Sequence, residues 1–476
     1  MNPSLRALDF AEVLELVALE IRTPPGRARL LARRPVHSIG EAERLQGELR
    51  EMTLLYLDEG LLPFAGLEDI EPFLESAGAD LEQSWMILRS VKATQAVRES
   101  ILRSDRELPN LSRIAERIED FGDLLRSTNR FFTRDGKLKE DASPELKRIR
   151  SKVQSRRQET QRVLNDLMNR KSESVQEPII TLRGDRYCIP VRSEKRGSIP
   201  GILHERSGSG ASAFIEPLEV VEMNNEIADL LIAEREEVRR IERFIADQIS
   251  LHKEEIQTAI GAASELDAIQ ACAILGSRLE ANRPTFTTTN ELRIIEGRHP
   301  LLDERVADLR EIAFGEEPSD RRVVPVSIDL TESERGLVIS GPNAGGKTVS
   351  LKTAGLLTAM ASSGLPVPAA DGTILPLPDQ IHLLIGDDQD LLEHLSTFSA
   401  YLTRLKKILS EISSESLVLL DEIGSGTDPE EGSAIASAVI EHLLEVDPLF
   451  IVTTHLARVQ SLAIASDRIV NASMEF

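Results

Sequence analysis

Apolar residues recur every three or four positions through most of the first 290 residues, a spacing that predicts amphipathic helices. The first such segment ends before Pro24-Pro25, and similar spacing runs through 41–58, 81–103 and 111–127. Breaks that contain proline and glycine separate these segments, as expected between helices. We therefore predict that residues 1–135 form an α-helical domain with no chemistry of its own.

A longer amphipathic pattern begins at Ser143-Pro144, where proline suits the first turn of a helix. It predicts a helix over 142–171 with a heptad-like seam that has two polar lapses and consists of Leu146, Ile149, Val153, Arg156, Thr160, Val163 and Leu167. A second seam consists of Val238, Ile241, Ile245, Ile249 and Ile256. Two interpretations stay open: an arm of two antiparallel helices that holds a compact tip, or a solvated coiled coil.

Residues 177–217, between the two seams, are rich in β-branched residues and glycine, which predicts short strands and turns. From about residue 290 the pattern becomes that of an α/β domain. GLVISGPNAGGKT predicts a strand, a loop and a helix start, and SLVLLDEIG is a continuous apolar run ending in acids, as in a buried parallel strand. LFIVTTH predicts a third strand.

The formal net charge of −23 argues against nucleic acid as a partner if the charge is spread evenly, because a polyanion is repelled by an acidic surface. The charge is not even: Lys147 to Arg206 contains fifteen Lys and Arg against seven Asp and Glu. Such a basic segment is a candidate phosphate-contacting surface. The residues predicted to contact nucleic acid are Lys147, Arg148, Arg150, Arg156, Arg157, Lys195 and Arg196.

Composition narrows the class of protein further. Aromatic residues make up 4% of the chain, which argues against stacking platforms for single-stranded nucleic acid. Cys188 and Cys272 match no metal-ligand spacing, so reduced buried thiols in a cytoplasmic protein are expected. Because the sequence has no uninterrupted apolar run of about 18 residues, neither a membrane span nor a signal peptide is expected.

The segment Gly341–Thr348 fits the pattern G-x-x-x-x-G-K-[ST] between an apolar strand and a helix start. In this context the glycines let backbone N–H groups face phosphates, the lysine reaches the β- and γ-phosphates, and the threonine hydroxyl can bind Mg²⁺. We therefore predict an ATPase of the P-loop class whose nucleotide-binding residues are Gly341, Pro342, Asn343, Ala344, Gly345, Gly346, Lys347, Thr348 and Val349.

An acidic pair, Asp421-Glu422, ends the strand SLVLL downstream of this loop. Asp421 is predicted to hold Mg²⁺, and Glu422 to position and polarise the attacking water. Asp428 lies in a tight acidic turn that follows. His455, just beyond the next strand, is predicted to sense the γ-phosphate, although a lone histidine is usually structural.

Ser396-Thr397-Phe398 precedes a predicted helix, Ala400–Leu409. A serine or threonine at a helix start is usually an N-cap, but a helix N-terminus can also bind phosphate. Within one chain the residues leave both roles open.

The order of these motifs resembles the MutS family of ABC-type ATPases, in particular the second bacterial branch, which is the recombination-suppressing paralogue. In the C-terminal part the motifs are EGRHP (296–300), 341–348, 396–398, DEIGSGTDP (421–429) and Thr454-His455. In the first part they are IITLRGDRYCIP, GILHERSGSGASAFIEP and Met223-Asn224-Asn225. The resemblance covers essentially the whole chain.

The resemblance implies five segments. They are a helical core domain (1–135), a lever helix (136–176), a β-rich clamp (177–217) that touches DNA, a returning lever helix with core (218–290), and an ABC-type ATPase domain (291–476). It also implies a homodimer with ATP between the subunits, so that Ser396, Thr397 and Phe398 of one subunit face the P-loop of the other. Gln389 would lie near Mg²⁺, His455 would be the switch histidine, and Asp428 would belong to the family's D-loop.

The sequence departs from the family pattern in three ways. It has no mismatch-reading domain, and it lacks the C-terminal small MutS-related nuclease domain, so neither mismatch recognition nor nuclease activity is expected. It also stops at Asn471–Phe476, where family members continue, so we expect an ATPase domain that is incomplete at its C-terminus.

Three functions are compatible with the sequence. The first is an ATPase that clamps branched DNA and suppresses homologous recombination. The second is an ATP-driven factor that splits stalled ribosomes, which the same branch also suggests. The third is a nucleotide-binding scaffold that does not hydrolyse ATP because of the truncation.

Overall fold

The computed structural model describes residues 2–75, 80–208, 210–289, 291–316, 322–341, 346–385 and 397–474, with the backbone alone for 397, 398 and 400. The described residues fall into two compact units. The first unit comprises Met1–Asp69, Ala93–Glu119 and Thr258–Phe476, and the second comprises Ile70–Lys92 and Asp120–Gln257. The predicted combination of helices and sheets in a multidomain α/β chain is confirmed.

The helices, in chain order, are α1 (Pro3–Ala7), α2 (Phe10–Ala18), α3 (Pro24–Leu31), α4 (Ile39–Glu59), α5 (Glu71–Glu75), α6 (Leu81–Leu102), α7 (Pro109–Ala115), α8 (Gly122–Asn129), α9 (Pro144–Arg170), α10 (Leu218–Leu251), α11 (Lys253–Arg278), α12 (Ala307–Phe314), α13 (Lys347–Ser362), α14 (Thr397–Glu411), α15 (Pro429–Val446) and α16 (Ala457–Ala465).

The strands are β1 (Thr181–Arg183), β2 (Arg186–Arg192), β3 (Gly201–Arg206), β4 (Ser212–Pro217), β5 (Thr285–Thr287), β6 (Leu292–Gly297), β7 (Val326–Leu330), β8 (Gly336–Ser340), β9 (Ile374–Pro376), β10 (Ile381–Leu384), β11 (Leu417–Leu420), β12 (Leu449–Thr454) and β13 (Ile469–Ser473).

A five-stranded sheet with the order β10-β11-β12-β8-β13 forms the centre of the first unit, and its neighbouring strands are all parallel. Every residue of β10, β11 and β12 is buried, as expected for parallel strands covered on both faces. Gly336 opens β8 where a Cβ atom would lie 2.1 Å from the Phe450 ring, so only glycine lets these strands pair closely. The three strands predicted from apolar runs are thereby confirmed.

A second sheet of the first unit has the order β5-β9-β6-β7. Beside these sheets, α11 is long and apolar enough to cross a membrane by length and composition. However, 83% of its most apolar window is buried inside the protein, a property typical of a core helix. Among the described residues it is the one helix that meets that criterion.

In the second unit, α9 and α10 run antiparallel. The ion pairs between them show this direction, since the residue numbers rise along α9 while those of the partners fall along α10. Arg150 binds Glu234, Arg156 binds Glu226 and Arg170 binds Glu219. Between them in sequence lies an antiparallel sheet with the order β1-β2-β4-β3. Its apolar face packs against the adjoining ends of α9 and α10. This geometry agrees with the arm interpretation.

Two helix predictions need correction. The segment 111–127 is not one helix: α7 ends at Ala115, and the carboxylate of Asp120 accepts the backbone N–H of Gly122 at 2.8 Å before α8 begins. This side-chain bond satisfies a donor at the new helix start and favours the turn. In α9, Leu164 is buried where Val163 was predicted. Of the two polar lapses, the Arg156 side chain is 39% exposed and Thr160 is fully buried.

Candidate nucleotide site

The phosphate-loop motif joins β8 to α13, as its spacing predicts. Gly341 (φ 132°) and Gly346 (φ 79°) both have backbone conformations that favour glycine, and Gly346 is the N-cap of α13. Lys347 is 2% exposed and its ammonium donates to the carbonyl of Gly341, which holds the charge at the mouth of the loop. A cation beside the free N–H groups of a long helix start is suited to bind phosphate. Val349, the last predicted contact, is 37% exposed on the first turn of this helix.

Asp421 lies directly after β11 and connects the end of this strand to the first turn of α13 and to the end of β12. Its Oδ2 accepts the Thr348 hydroxyl at 2.7 Å, and its Oδ1 accepts the Thr453 hydroxyl from the end of β12. Because β12 lies between β11 and β8, Thr453 at its end lies between the acidic pair and the phosphate loop. Sequence reasoning assigned no role to Thr453, although it stands in the run Thr453-Thr454-His455.

Glu422 is held by its backbone in a constrained position. Its φ is 48°, in the left-handed region, and its N–H donates to the Thr453 hydroxyl at 2.8 Å. The next N–H, of Ile423, donates to the Thr453 carbonyl at 3.1 Å. A non-glycine residue in this region costs on the order of 1 kcal/mol or more, and such outliers cluster at functional sites. The half-buried carboxylate is thus presented at the carboxyl edge of the sheet.

The acidic turn after Glu422 is tightly packed. Gly424 and Gly432 touch through their backbones, since a Cβ on Gly432 would lie 2.1 Å from the Gly424 carbonyl oxygen. Asp428 is the N-cap of α15 and accepts the N–H of Glu430 at 2.9 Å. The structure therefore gives Asp428 a capping role, and its assignment to a D-loop stays a prediction.

Several predicted residues fall outside the described part of the chain. These are Pro342, Asn343, Ala344, Gly345, Gln389 and Ser396, while Thr397 and Phe398 are described by their helical backbone alone. His455 is exposed directly after β12, at the same edge as Asp421. Its role as a sensor stays a prediction.

The described residues include groups that could hold Mg²⁺. Thr348 and Asp421 offer hard oxygen ligands within hydrogen-bond distance of each other, next to the loop that would present phosphates. Mg²⁺ commonly uses one or two protein ligands together with phosphate oxygens and water. Among the described residues, no group of three or more His, Cys, Asp or Glu side chains is placed to hold a metal ion.

The EGRHP segment is built into the first unit as a structural connection. The Arg298 guanidinium binds the buried Asp303 at 2.9 Å. His299 is 4% exposed, with its Nε2 3.8 Å from a carboxylate oxygen of Asp9, which also binds Lys352 of α13 at 2.9 Å. Burial lowers the pKa of His299 to about 4, with Asp9 opposing and Lys352 reinforcing the shift. The phosphate-loop helix is thus tied to the start of α2.

The predicted nucleic-acid contacts divide into two groups. Four of the seven residues form ion pairs within the second unit: Arg148 with Glu145, Arg150 with Glu234, Arg156 with Glu159 and Glu226, and Lys195 with Glu173. Lys147, Arg157 and Arg196 are exposed and have no ion pair with any described residue. The contact role stays a prediction for all seven, and the second group is the one free to bind phosphate.

Comparison with known proteins agrees with this architecture. Residues 337–476, which contain the parallel sheet and the acidic pair, match the family model MutS domain V. The fold is therefore that of a multidomain α/β chain, consistent with MutS domain V.

The whole chain is similar to proteins named Endonuclease MutS2. It is 39% identical over 479 residues to the protein of Thermus thermophilus and 35% identical over 481 residues to that of Alkaliphilus oremlandii. These alignments cover 100% and 99% of this chain but 60% and 59% of the relatives, so the chain spans about three fifths of their length. The matched part of these relatives is thus similar in sequence to the whole of this chain. The matches give no support to the ribosome and RNA alternative, and the truncation stays a prediction.

Proposed function

We propose that this chain binds ATP with Mg²⁺ and hydrolyses it, and that it does so as a homodimer that clamps branched DNA in the cytoplasm. The observation that carries the nucleotide part is the Thr348–Asp421–Thr453 arrangement, which joins the phosphate loop to the acidic pair. Similarity to MutS2-like proteins supports the DNA part. Suppression of recombination and the five-segment division of the chain belong to the same proposal.

The residues divide the chemistry among themselves. Lys347 and the start of α13 bind the phosphates, and Thr348 and Asp421 would hold Mg²⁺ with Gln389 nearby. The metal would supply charge neutralisation on the phosphate oxygens. Glu422 orients the attacking water and accepts its proton, while His455 senses the γ-phosphate. Ser396, Thr397 and Phe398 complete the site of the partner subunit, in keeping with a helix N-terminus that binds phosphate.

The test is phosphate release by the purified chain with Mg²⁺ and ATP, with and without four-way junction DNA. Glu422→Gln is expected to lower the rate at least about a hundredfold while ATP still binds, because the amide cannot accept the water proton. Glu415→Gln, the same change on an exposed residue before β11, is the matched control and keeps the rate. Tight ATP binding by the unmodified chain without release would contradict hydrolysis and leave the scaffold function.

A further inference from the structure

Tyr401 lies on α14, four residues into the helix that begins at the Ser396–Phe398 motif. The side chain is 8% exposed, and its ring belongs to the apolar cluster that contains Leu384, Leu420 and Ile423. Leu420 and Ile423 flank the acidic pair in the chain. The packing of this ring therefore brings α14 against the segment that carries Asp421 and Glu422.

The hydroxyl of Tyr401 is fully buried, and it has no hydrogen-bond partner in the part of the chain that the structure describes. A buried hydroxyl in this state is destabilising, and such groups in folded proteins call for an explanation. Burial raises the pKa of Tyr401 well above its ordinary value, and the negative charges of Asp421 and Glu422 raise it further. The hydroxyl therefore keeps its proton and can act only as a donor near these carboxylates.

The two neighbouring carboxylates differ in what they already accept. Both oxygens of Asp421 receive a threonine hydroxyl, from Thr348 and Thr453. The Glu422 side chain has neither a hydrogen bond nor an ion pair with any described residue, and it sits half-buried on a left-handed backbone. An unused donor on α14 and an unused acceptor after β11 thus belong to segments that pack through one apolar cluster.

We propose that Tyr401 is a positioning residue whose hydroxyl donates a hydrogen bond to the Glu422 carboxylate in the nucleotide-bound state. The bond keeps the carboxylate directed towards the attacking water. It also links the position of α14 to the position of the Glu422 carboxylate. This inference rests on the proposed ATPase function, since it gives Tyr401 a role through Glu422.

The substitution Tyr401→Phe removes the hydroxyl and keeps the buried ring. We expect kcat for ATP to fall about tenfold to a hundredfold, the range seen when a catalytic group is misplaced, with KM for ATP within about twofold. The melting temperature should stay the same or rise, because the removed hydroxyl has no partner among the described residues. Tyr187→Phe makes the same change at a buried tyrosine in the second unit and is the matched control.

A double-mutant cycle separates this inference from the function on which it rests. The readout is affinity for Mg·ADP·aluminium fluoride, measured for the unmodified chain, Tyr401→Phe, Glu422→Ala and the double variant. We expect Tyr401→Phe to weaken binding about tenfold alone and to have no further effect beside Glu422→Ala. Additive effects, or full-rate hydrolysis by Tyr401→Phe, would overturn the positioning role while the ATPase proposal stands. No nucleotide binding by the unmodified chain would overturn both.

Discussion

At the scale of single residues, His299 is a titratable group whose pKa is set mainly by burial. It is almost enclosed, and its Nδ1 has no partner among the described side chains and backbone. Asp9 and Lys352 face the ring from α2 and α13, at the positions described above. Because burial penalises the imidazolium, the pKa falls from 6.5 to about 4, and the ring is neutral in the folded chain at neutral pH.

This shift predicts a pH dependence of stability. The unfolded chain takes up a proton at His299 more readily than the folded chain, so the free energy of unfolding falls as pH falls from 6.5 towards 4. Between pH 7 and pH 5 the unmodified chain should lose about 2 kcal/mol more than His299→Asn, measured by urea unfolding. His442→Asn, on an exposed part of α15, is the control. Equal pH dependence of the unmodified chain and His299→Asn would show that His299 is not buried in this way.

The site residues that the sequence identified are those that belong to contiguous sequence motifs. Lys347, Thr348, Asp421 and Glu422 follow from motif spacing and from the strand or helix beside them. Thr453 and Tyr401 do not, because their roles depend on which strand lies between β8 and β11 and on which helix covers the acidic pair. Residue spacing carries no information about strand order, so no local pattern could have assigned either one.

At the scale of elements, the clamp sheet of the second unit is organised around a buried carboxylate. Glu216 is fully buried near the end of β4, and it accepts from Asn224 at 2.8 Å, His204 at 2.6 Å and Arg186 at 2.8 Å. Burial by itself would raise the pKa of Glu216, but these hydrogen bonds outweigh burial and lower it. Asn224 also exchanges two hydrogen bonds with the backbone of Tyr187, so the network fastens α10 to β2.

Removing the charge at Glu216 should therefore loosen the sheet. Glu216→Gln leaves Arg186 without its buried partner and is expected to destabilise the second unit by about 2 kcal/mol, since Arg186 keeps some contact with water. Faster amide hydrogen exchange in β2 and β4 would report this loss. Glu205→Gln, which breaks the exposed pair with Arg183, should cost no more than about 0.5 kcal/mol. Comparable exchange in the two variants would contradict the structural role of Glu216.

The secondary structure of these elements was largely predictable, because periodicity reports which face of a segment is buried. The α9 helix, for example, is predicted over 142–171 and spans Pro144–Arg170. What the seam of α9 alone does not specify is the partner of its polar lapse at Arg156, which pairs with Glu226 of α10.

At the scale of the whole molecule, the sequence did not predict that one compact unit gathers three separate parts of the chain. The buried Asp267 of α11 shows the reason: it accepts the N–H groups of Arg22 and Thr23 and the Thr23 hydroxyl, 244 and 245 residues away. Such a contact fixes α3 against α11 through one carboxylate. A single sequence shows local spacing and gives no sign of which distant groups share a hydrogen bond.

The charge distribution of the whole molecule leads to the last prediction. A chain with a net charge of −23 can bind a polyanion only through a localised basic surface, and the second unit supplies Lys147, Arg157 and Arg196 without internal ion pairs among the described residues. Cations already paired with glutamate gain less from phosphate, because they must first give up a partner. Among the seven predicted contacts, these three should therefore contribute most to the salt dependence of binding to four-way junction DNA.

Replacing all three residues by glutamine should make the negative slope of log K against log salt shallower. The change should be about 0.9 for each phosphate that the protein no longer neutralises, or about 2.7 if each cation holds one phosphate. Arg6→Gln, Arg322→Gln and Lys406→Gln combined removes the same charge from the first unit and controls for net charge. Equal slopes for the two triple variants would show that Lys147, Arg157 and Arg196 do not contact phosphate. If only the variant of Lys147, Arg157 and Arg196 has a shallower slope, phosphate contacts lie on α9 and the adjoining sheet. The control variant removes the same number of charges, so the difference must come from where the charges lie.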